Sequence, residues 1–313
     1  MTDHKKILIT GATGFIGANL ARYFFKLGFD IHAFMRTDSD TWRIKGFINN
    51  IKTYRLDLTD AQAVEKAVLK IKPSYVLHSA VYGGYHFQKE AQKMISVNFL
   101  GTVNLLNACR NIDYKLFVNT GSSSEYGLRS MPMKESDILE PATDYGVSKA
   151  AATLYACSLA RRGKGPIITM RLFSPYGYYE GADRLVPSVI SACLKNRSPR
   201  LSSPECVRDF IFIEDVVEAF GKAVRSHKDI QGEVFNIGSG KQHSIRDIVS
   251  IIARLTGCKA HPVWGVVENC RIEPRHWQAD MAKTKKVLKW QPRFSLEEGL
   301  ARTIEWLKKN EGI

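Results

Sequence analysis

Lys5-Lys6-Ile7-Leu8-Ile9-Thr10-Gly11-Ala12-Thr13-Gly14-Phe15-Ile16-Gly17 is the stretch on which the fold turns. The apolar run Lys5–Thr10 reads as a strand, and three glycines carry it directly into an amphipathic run, Phe15–Leu27, that reads as a helix. Glycines at such a junction allow a tight turn and a close approach of backbone to a pyrophosphate. The helix start adds N–H groups and a partial positive charge. Gly11, Thr13, Gly14, Phe15, Ile16 and Gly17 are therefore candidate binding residues for a dinucleotide.

Outward from that junction the rhythm repeats. Ile31–Met35 and Thr53–Leu56 read as strands, Ala61–Ile71 as a helix and Tyr75–His78 as a strand. Ala91–Cys109 reads as a long helix, Lys115–Asn119 as a strand, Tyr145–Arg161 as a helix and Pro166–Arg171 as a strand. Alternation of this kind predicts an α/β fold with a doubly wound parallel (Rossmann) sheet. After Leu172 the rhythm loosens: Leu185–Lys195, Glu214–Arg225, Ser244–Leu255 and Leu296–Lys308 read as helices, with Pro199–Val207 an irregular link. The expected organisation is a dinucleotide-binding domain over 1–177 plus 208–240. A smaller, partly interleaved substrate-binding domain takes 178–207 plus 241–313.

Composition narrows the field. Of 313 residues, 44% are hydrophobic and 24% charged, which excludes disorder, collagen and coiled coil for the whole chain. No apolar run reaches the roughly 18–20 residues of a membrane span. The polar start predicts no signal peptide and a cytoplasmic protein. Lys and Arg number 45 against 31 Asp and Glu, a net charge of +14 that favours acidic partners. No basic-aromatic module accompanies that charge, so nucleic acid is not expected as a partner. Six cysteines form no CxxC pair and no pattern with His, which predicts reduced thiols and no metal site.

The chemistry concentrates in Ser122, Tyr145 and Lys149. Tyr145 and Lys149 lie four apart on a predicted helix and share a face. A free Tyr has a pKa of about 10 and is a poor acid or base near neutrality. A neighbouring Lys⁺ stabilises the phenolate and lowers that value. Ser122, after a strand, can hydrogen-bond the same substrate oxygen. At the end of the second strand, Ala33-Phe34-Met35-Arg36 carries an arginine where an acid would bind a ribose 2′-OH. Arg36 can pair with a 2′-phosphate, so NADP(H) is favoured over NAD(H), with Asp38 and Asp40 weighing the other way.

These motifs together resemble the extended short-chain dehydrogenase/reductase family from Ile7 to about Leu307. The likeness rests on the Gly-x-x-Gly-x-x-Gly spacing, Asp57-Leu58, His78-Ser79-Ala80, the Asn98-x-x-Gly101-Thr102 helix and Ser122…Tyr145-x-x-x-Lys149. It implies that Asp57, Leu58, Ser79, Ala80 and Asn98 flank the cofactor with Tyr145 and Lys149. It also implies a homodimer built on the helices resembling Ala91–Cys109 and Tyr145–Arg161; Leu105, Leu106, Ala151, Leu154 and Leu159 suit that pairing or packing on the sheet equally.

The segment Asn119–Gly127 resembles that of sugar-nucleotide epimerases, dehydratases and reductases. In the dehydratases an acid follows the catalytic Thr within two positions. Here those positions are Ser123 and Ser124; Glu125 comes one place later and, on a strand-like segment, would point the other way. The likeness implies substrate contacts for Ser123, for Ser174 in place of the usual Asn, and for Arg208 and Arg271 on a diphosphate. Tyr85 and His86, in the loop Val81–Phe87, are candidates for the sugar or for packing within the loop. The first reading is an NADPH-dependent reductase of a nucleotide-diphosphate 4-keto-(6-deoxy)hexose in deoxysugar nucleotide biosynthesis, CDP-abequose synthase-like and serving bacterial surface glycans such as lipopolysaccharide. The alternative is a nucleotide-sugar 4-epimerase with tightly bound NAD, and the third is a non-catalytic NADP-sensing protein.

Overall fold

Residues 5–85, 87–267 and 275–310 are described by a computed structural model. The candidates His86 and Arg271 lie outside them.

Strand β1 (Lys6–Thr10) leads through the glycines into helix α1 (Phe15–Lys26), followed by β2 (Asp30–Met35) and β3 (Lys52–Arg55). Helix α2 (Ala61–Ile71) starts at Asp60, whose carboxylate accepts from Ala63 N at 3.0 Å. Strand β4 (Tyr75–His78) precedes α3 (Ala91–Met94), a π-helical stretch (Ile95–Leu100) and α4 (Gly101–Cys109). The long helix expected over Ala91–Cys109 thus forms, with its middle wound wide. Next come β5 (Leu116–Ser122), α5 (Asp144–Arg161), β6 (Ile167–Leu172) and β7 (Ser174–Tyr176). The chain ends with α6 (Leu185–Leu194), β8 (Val207–Arg208), β9 (Phe210–Phe212), α7 (Ile213–Arg225), β10 (Val234–Ile237), β11 (His243–Ser244), α8 (Ile245–Thr256) and α9 (Leu296–Asn310).

The main sheet has seven strands in the order β10-β6-β5-β4-β1-β2-β3, and each neighbouring pair runs parallel. This is the doubly wound sheet the alternation predicts. Side chains alternate across it. Leu8, Phe34, Val76 and Phe117 pack with Val64, Val68, Leu105, Leu106 and Leu159 on one face. Ile7, Ile9 and Val118 pack with Leu20, Phe24, Val216 and Phe220 on the other. That second cluster continues without a break into Ile248, Ile252, Leu300 and Ile304. Leu105, Leu106 and Leu159 therefore serve the sheet, whereas Leu154 is 55% exposed.

Two features were not read from the sequence. Strand β10 adds an edge beside β6, and two short pairs, β7 with β9 and β8 with β11, tie the later segments together. Runs of two to four residues carry too little periodicity to be distinguished from loop.

Candidate active site

The ends of β1 and β4 lie side by side, with the chain turning to opposite edges of the sheet beyond them. Open α/β sheets bind ligands at such a point. Gly11 sits there with φ +68°, and a Cβ on it would lie 2.7 Å from Ala80 Cα. A Cβ on Gly17 would overlap the Gly11 carbonyl. No side chain among the described residues caps α1, and its first turn holds no acid. Its N-terminal N–H groups, a close glycine backbone and Ser79-Ala80 opposite make a cradle that fits a dinucleotide pyrophosphate.

Around that cradle the candidates divide. Ser79 Oγ donates to Thr10 O at 2.7 Å. Leu58 is buried, and its carbonyl accepts from Asn104 at 2.9 Å. The Asp57 carboxylate is exposed and closes its own turn onto Thr59 N and Oγ1 at 2.8 and 2.7 Å. Arg36, half-exposed at the end of β2, pairs with Asp38 at 3.0 Å. Arg43 escaped the sequence reading: it is 8% exposed, reaches Thr13 O at 3.4 Å and Tyr179 O at 2.8 Å, and donates to Tyr85 Oη at 3.0 Å. Tyr85 also stacks on Phe87 at 5.3 Å, with Arg184 over its ring at 5.2 Å.

A buried polar chain runs from this cradle to α5. Ala80 N donates to Thr10 Oγ1 at 3.2 Å, and Thr10 Oγ1 lies 2.7 Å from His78 Nδ1. His78 Nε2 lies 2.8 Å from Thr102 Oγ1, which donates to Asn98 O at 2.6 Å. Thr102 has one hydrogen, so Nε2 carries the imidazole proton and Thr10 donates to Nδ1. Burial, then the charge of Lys149, pushes His78 down to about 3. Asn98, fully buried in the π-helical stretch, exchanges two 2.8 Å bonds with the Tyr82 backbone and donates to Ser148 Oγ at 2.9 Å. Ser148 donates to Tyr145 O at 2.8 Å. Asn98 therefore supports α5 from beneath.

Ser122 ends β5, and Tyr145 and Lys149 stand one turn apart at the start of α5, whose cap is Thr143. Ser122 and Tyr145 are half-buried; Lys149 is 3% exposed. Burial pushes Lys149 down to about 8, against the pull of Glu125. A Cβ on Gly146 would lie 2.5 Å from Ser124 O, so the turn after β5 packs directly on α5. That turn corrects one expectation. Ser123–Glu125 is a 3₁₀ turn, not strand, with Ser122 as its cap. Glu125 folds back to accept from Ser122 N at 2.8 Å and from Arg171 Nε at 2.7 Å, and its side chain is fully buried. Its carboxylate is engaged by that ion pair and by the turn, and strand alternation plays no part.

Across the site, Ser174 N donates to Asp209 O at 2.9 Å, which sets Ser174 beside the Arg208-Asp209 segment. Arg208 donates to Val207 O at 2.7 Å and lies over the Trp277 ring at 5.6 Å. The Trp277 indole N–H donates to Ser123 Oγ at 3.0 Å. Ser123 and Arg208 are thus joined through a residue that the sequence reading did not name. Among the described residues no three His, Cys, Asp or Glu side chains group to hold a metal, and no helix is long and apolar enough to cross a membrane.

Comparison with known proteins agrees over nearly the whole chain. A family model described as the NAD dependent epimerase/dehydratase family matches residues 7–238. The UDP-glucuronate 4-epimerase of Thermodesulfobacterium geofontis is 29% identical over 97% of this chain and 96% of that protein. The UDP-glucuronic acid 4-epimerase of Bacillus cereus, solved with UDP-glucuronic acid and NAD, is 26% identical with a TM-score of 0.85, covering 97% of this chain and 99% of that one. The UDP-glucose 4-epimerase of Thermotoga maritima has the same fold, with a TM-score of 0.89 at 24% identity over 98% of this chain and 99% of that one.

Proposed function

The chain belongs to the NAD dependent epimerase/dehydratase family, enzymes of the short-chain dehydrogenase/reductase class acting on nucleotide sugars, and from that premise we propose that it is a UDP-sugar 4-epimerase. The observation that carries this reading is the turn after β5. It packs on α5 where Ser124 O faces Gly146, has Ser123 and Ser124 where water elimination needs an acid, and locks Glu125 onto Arg171. Among the described residues of that turn, what remains is proton transfer on a carbinol. The full-length likeness to a UDP-glucuronate 4-epimerase then favours epimerisation over net reduction, reversing the order in which the sequence alone ranks the two. A hexose or hexuronate on UDP is the substrate class.

On this reading Tyr145 Oη takes the proton of the sugar 4-hydroxyl and later returns it. Ser122 Oγ holds the same oxygen and orders it against Tyr145. Lys149 stabilises the phenolate from one turn away. Arg208 grips the diphosphate while the sugar turns over, Ser174 lies beside it, and Ser123 lines the sugar end. Gly11 to Gly17, Ser79 and Ala80 would hold nicotinamide dinucleotide, which when bound supplies hydride acceptance and return at C4. The same residues suit a ketoreductase, and Arg36 in place of an acid after β2 favours that second reading through NADPH. A homodimer through the exposed Ile95, Leu100, Val147 and Leu154 accompanies either.

The test is incubation of the purified protein with UDP-glucose and UDP-glucuronate. Conversion to the 4-epimer with no net change in nicotinamide, lost in Tyr145→Phe, supports the reading. Stoichiometric NADPH oxidation by a 4-keto sugar, without epimerisation, overturns it.

A further inference from the structure

Trp277 reaches both ends of the proposed substrate site. Its indole N–H is spent on Ser123 Oγ, and Ser123 is 4% exposed within the turn that carries Ser122. Its ring lies under the Arg208 guanidinium. The tryptophan is itself fixed: its backbone N–H donates to Gln242 Oε1 at 2.9 Å, and Ala279 N, two residues on, donates to the buried Asp209 carboxylate at 3.0 Å. Asp209 takes three further bonds from Ser239 and Gly240, so the Arg208 segment and the Trp277 segment share one anchor.

The chemistry of the contacts is specific. Ser123 accepts from the indole and keeps its own hydrogen to give. With its N–H engaged, the half-buried indole offers a ligand only apolar edge and face. A pyranose ring presents C–H groups on its faces and hydroxyls at its rim, so an apolar plane beside a hydroxyl donor matches both. In a 4-epimerase the oxidised sugar must turn over between two hydride transfers without leaving, while its diphosphate stays held.

We propose that Trp277 is a positioning residue that couples the Ser123 end of the sugar pocket to Arg208 on the diphosphate and so retains the 4-keto sugar during its turnover. The inference rests on the 4-epimerase reading. Losing retention has a definite signature: the ketose departs, and the hydride stays on bound reduced nicotinamide, whose absorbance accumulates.

Two substitutions separate the contacts. Trp277→Phe keeps a ring beneath Arg208 and removes the indole N–H; Trp277→Ala removes both. Each is compared with Ser123→Ala and with the double variant Ser123→Ala/Trp277→Phe. The measurements are kcat, KM, accumulation of reduced nicotinamide, UDP affinity by calorimetry, and melting temperature. Trp277→Phe is expected to lower kcat about three- to tenfold and raise accumulation; Ser123→Ala, which also loses the hydroxyl given to the sugar, does at least as much, and the double variant is no worse than Ser123→Ala alone. UDP affinity stays as in the wild type for Trp277→Phe and falls about three- to tenfold for Trp277→Ala.

Wild-type retention in Trp277→Phe, additive losses in the double variant, or unchanged UDP affinity in Trp277→Ala each overturns the proposal. A wild-type protein that epimerises no UDP-sugar removes the epimerase reading on its own. The UDP affinity of Trp277→Ala then still decides the link to Arg208.

Discussion

Glu125 and Arg171 meet at 2.7 Å with side chains 0% and 4% exposed, a buried ion pair directly behind the serine turn. The other Glu125 oxygen accepts from Ser122 N, so one carboxylate holds both the turn and the arginine. Glu125→Gln leaves Arg171 buried without its counter-charge, which costs about 3–5 kcal/mol. Urea unfolding is expected to register that loss, while the pH profile of kcat in the surviving folded enzyme moves only as far as Lys149, without the pull of Glu125, titrates lower. A displaced limb in that profile with stability unchanged would make Glu125 an acid–base group instead.

Lys149 is held near 8 by burial, below the 10.5 of a free lysine. Its folded pKa is depressed, so the folded protein releases the proton first, and stability gains between about pH 8 and 10.5 while the unfolded chain still holds it. Below pH 8 the cost of a buried ammonium is fully present. Lys149→Met is therefore expected to unfold at a higher temperature than wild type at pH 7. That advantage shrinks as the pH rises through 8 to 10.5. Activity falls about a hundredfold or more at every pH. Thermal melts at pH 7 and 10 check the first part; equal stability at pH 7 would refute it.

His78 titrates at about 3 when folded and 6.5 when unfolded. Below pH 6.5 the unfolded chain gains a proton that the folded chain refuses, so stability falls with pH until about 3. Between pH 6.5 and 5 one such group accounts for about 2 kcal/mol. His78→Asn loses bonds to Thr10 and Thr102 and starts less stable at pH 7. Its further loss on going to pH 5 is expected to be smaller than that of wild type by about this amount. Parallel urea titrations at the two pH values decide it, and identical losses would move the acid sensitivity elsewhere.

What could be read in advance was what is local. The glycine turn, the strand–helix alternation and the one-turn spacing of Tyr145 and Lys149 are all written within a few residues of themselves; the order of the strands, with β10 at one edge, is not. The Glu125 fold-back was local too. Ser122-Ser123-Ser124-Glu125 is the Ser-x-x-Glu pattern of a capping box, which marks a turn and not a strand. Trp277 and Arg43 were not legible, because their partners lie 154 and up to 136 positions away and neither sits in a periodic run. Only the packed fold brings Ser123, Trp277 and Arg208 into one line.

Arg36 offers the sharpest test of cofactor choice. It stands after β2, with its Nε on Asp38 and its carbonyl accepting from Arg55 at 3.1 Å, so the backbone of this corner is fixed while the side chain is half-exposed. A 2′-phosphate would compete with Asp38 for the guanidinium, with two charges against one. Arg36→Ala is expected to weaken NADP binding about ten- to a hundredfold and leave NAD nearly unchanged. Asp38→Asn frees the guanidinium and is expected to strengthen NADP alone. Calorimetric titration of both dinucleotides into the protein, stripped of cofactor and refolded, reads each ratio. An equal loss of NAD and NADP in Arg36→Ala would mean that the arginine supports the corner and selects nothing. The ketoreductase reading would then lose the observation that favours it.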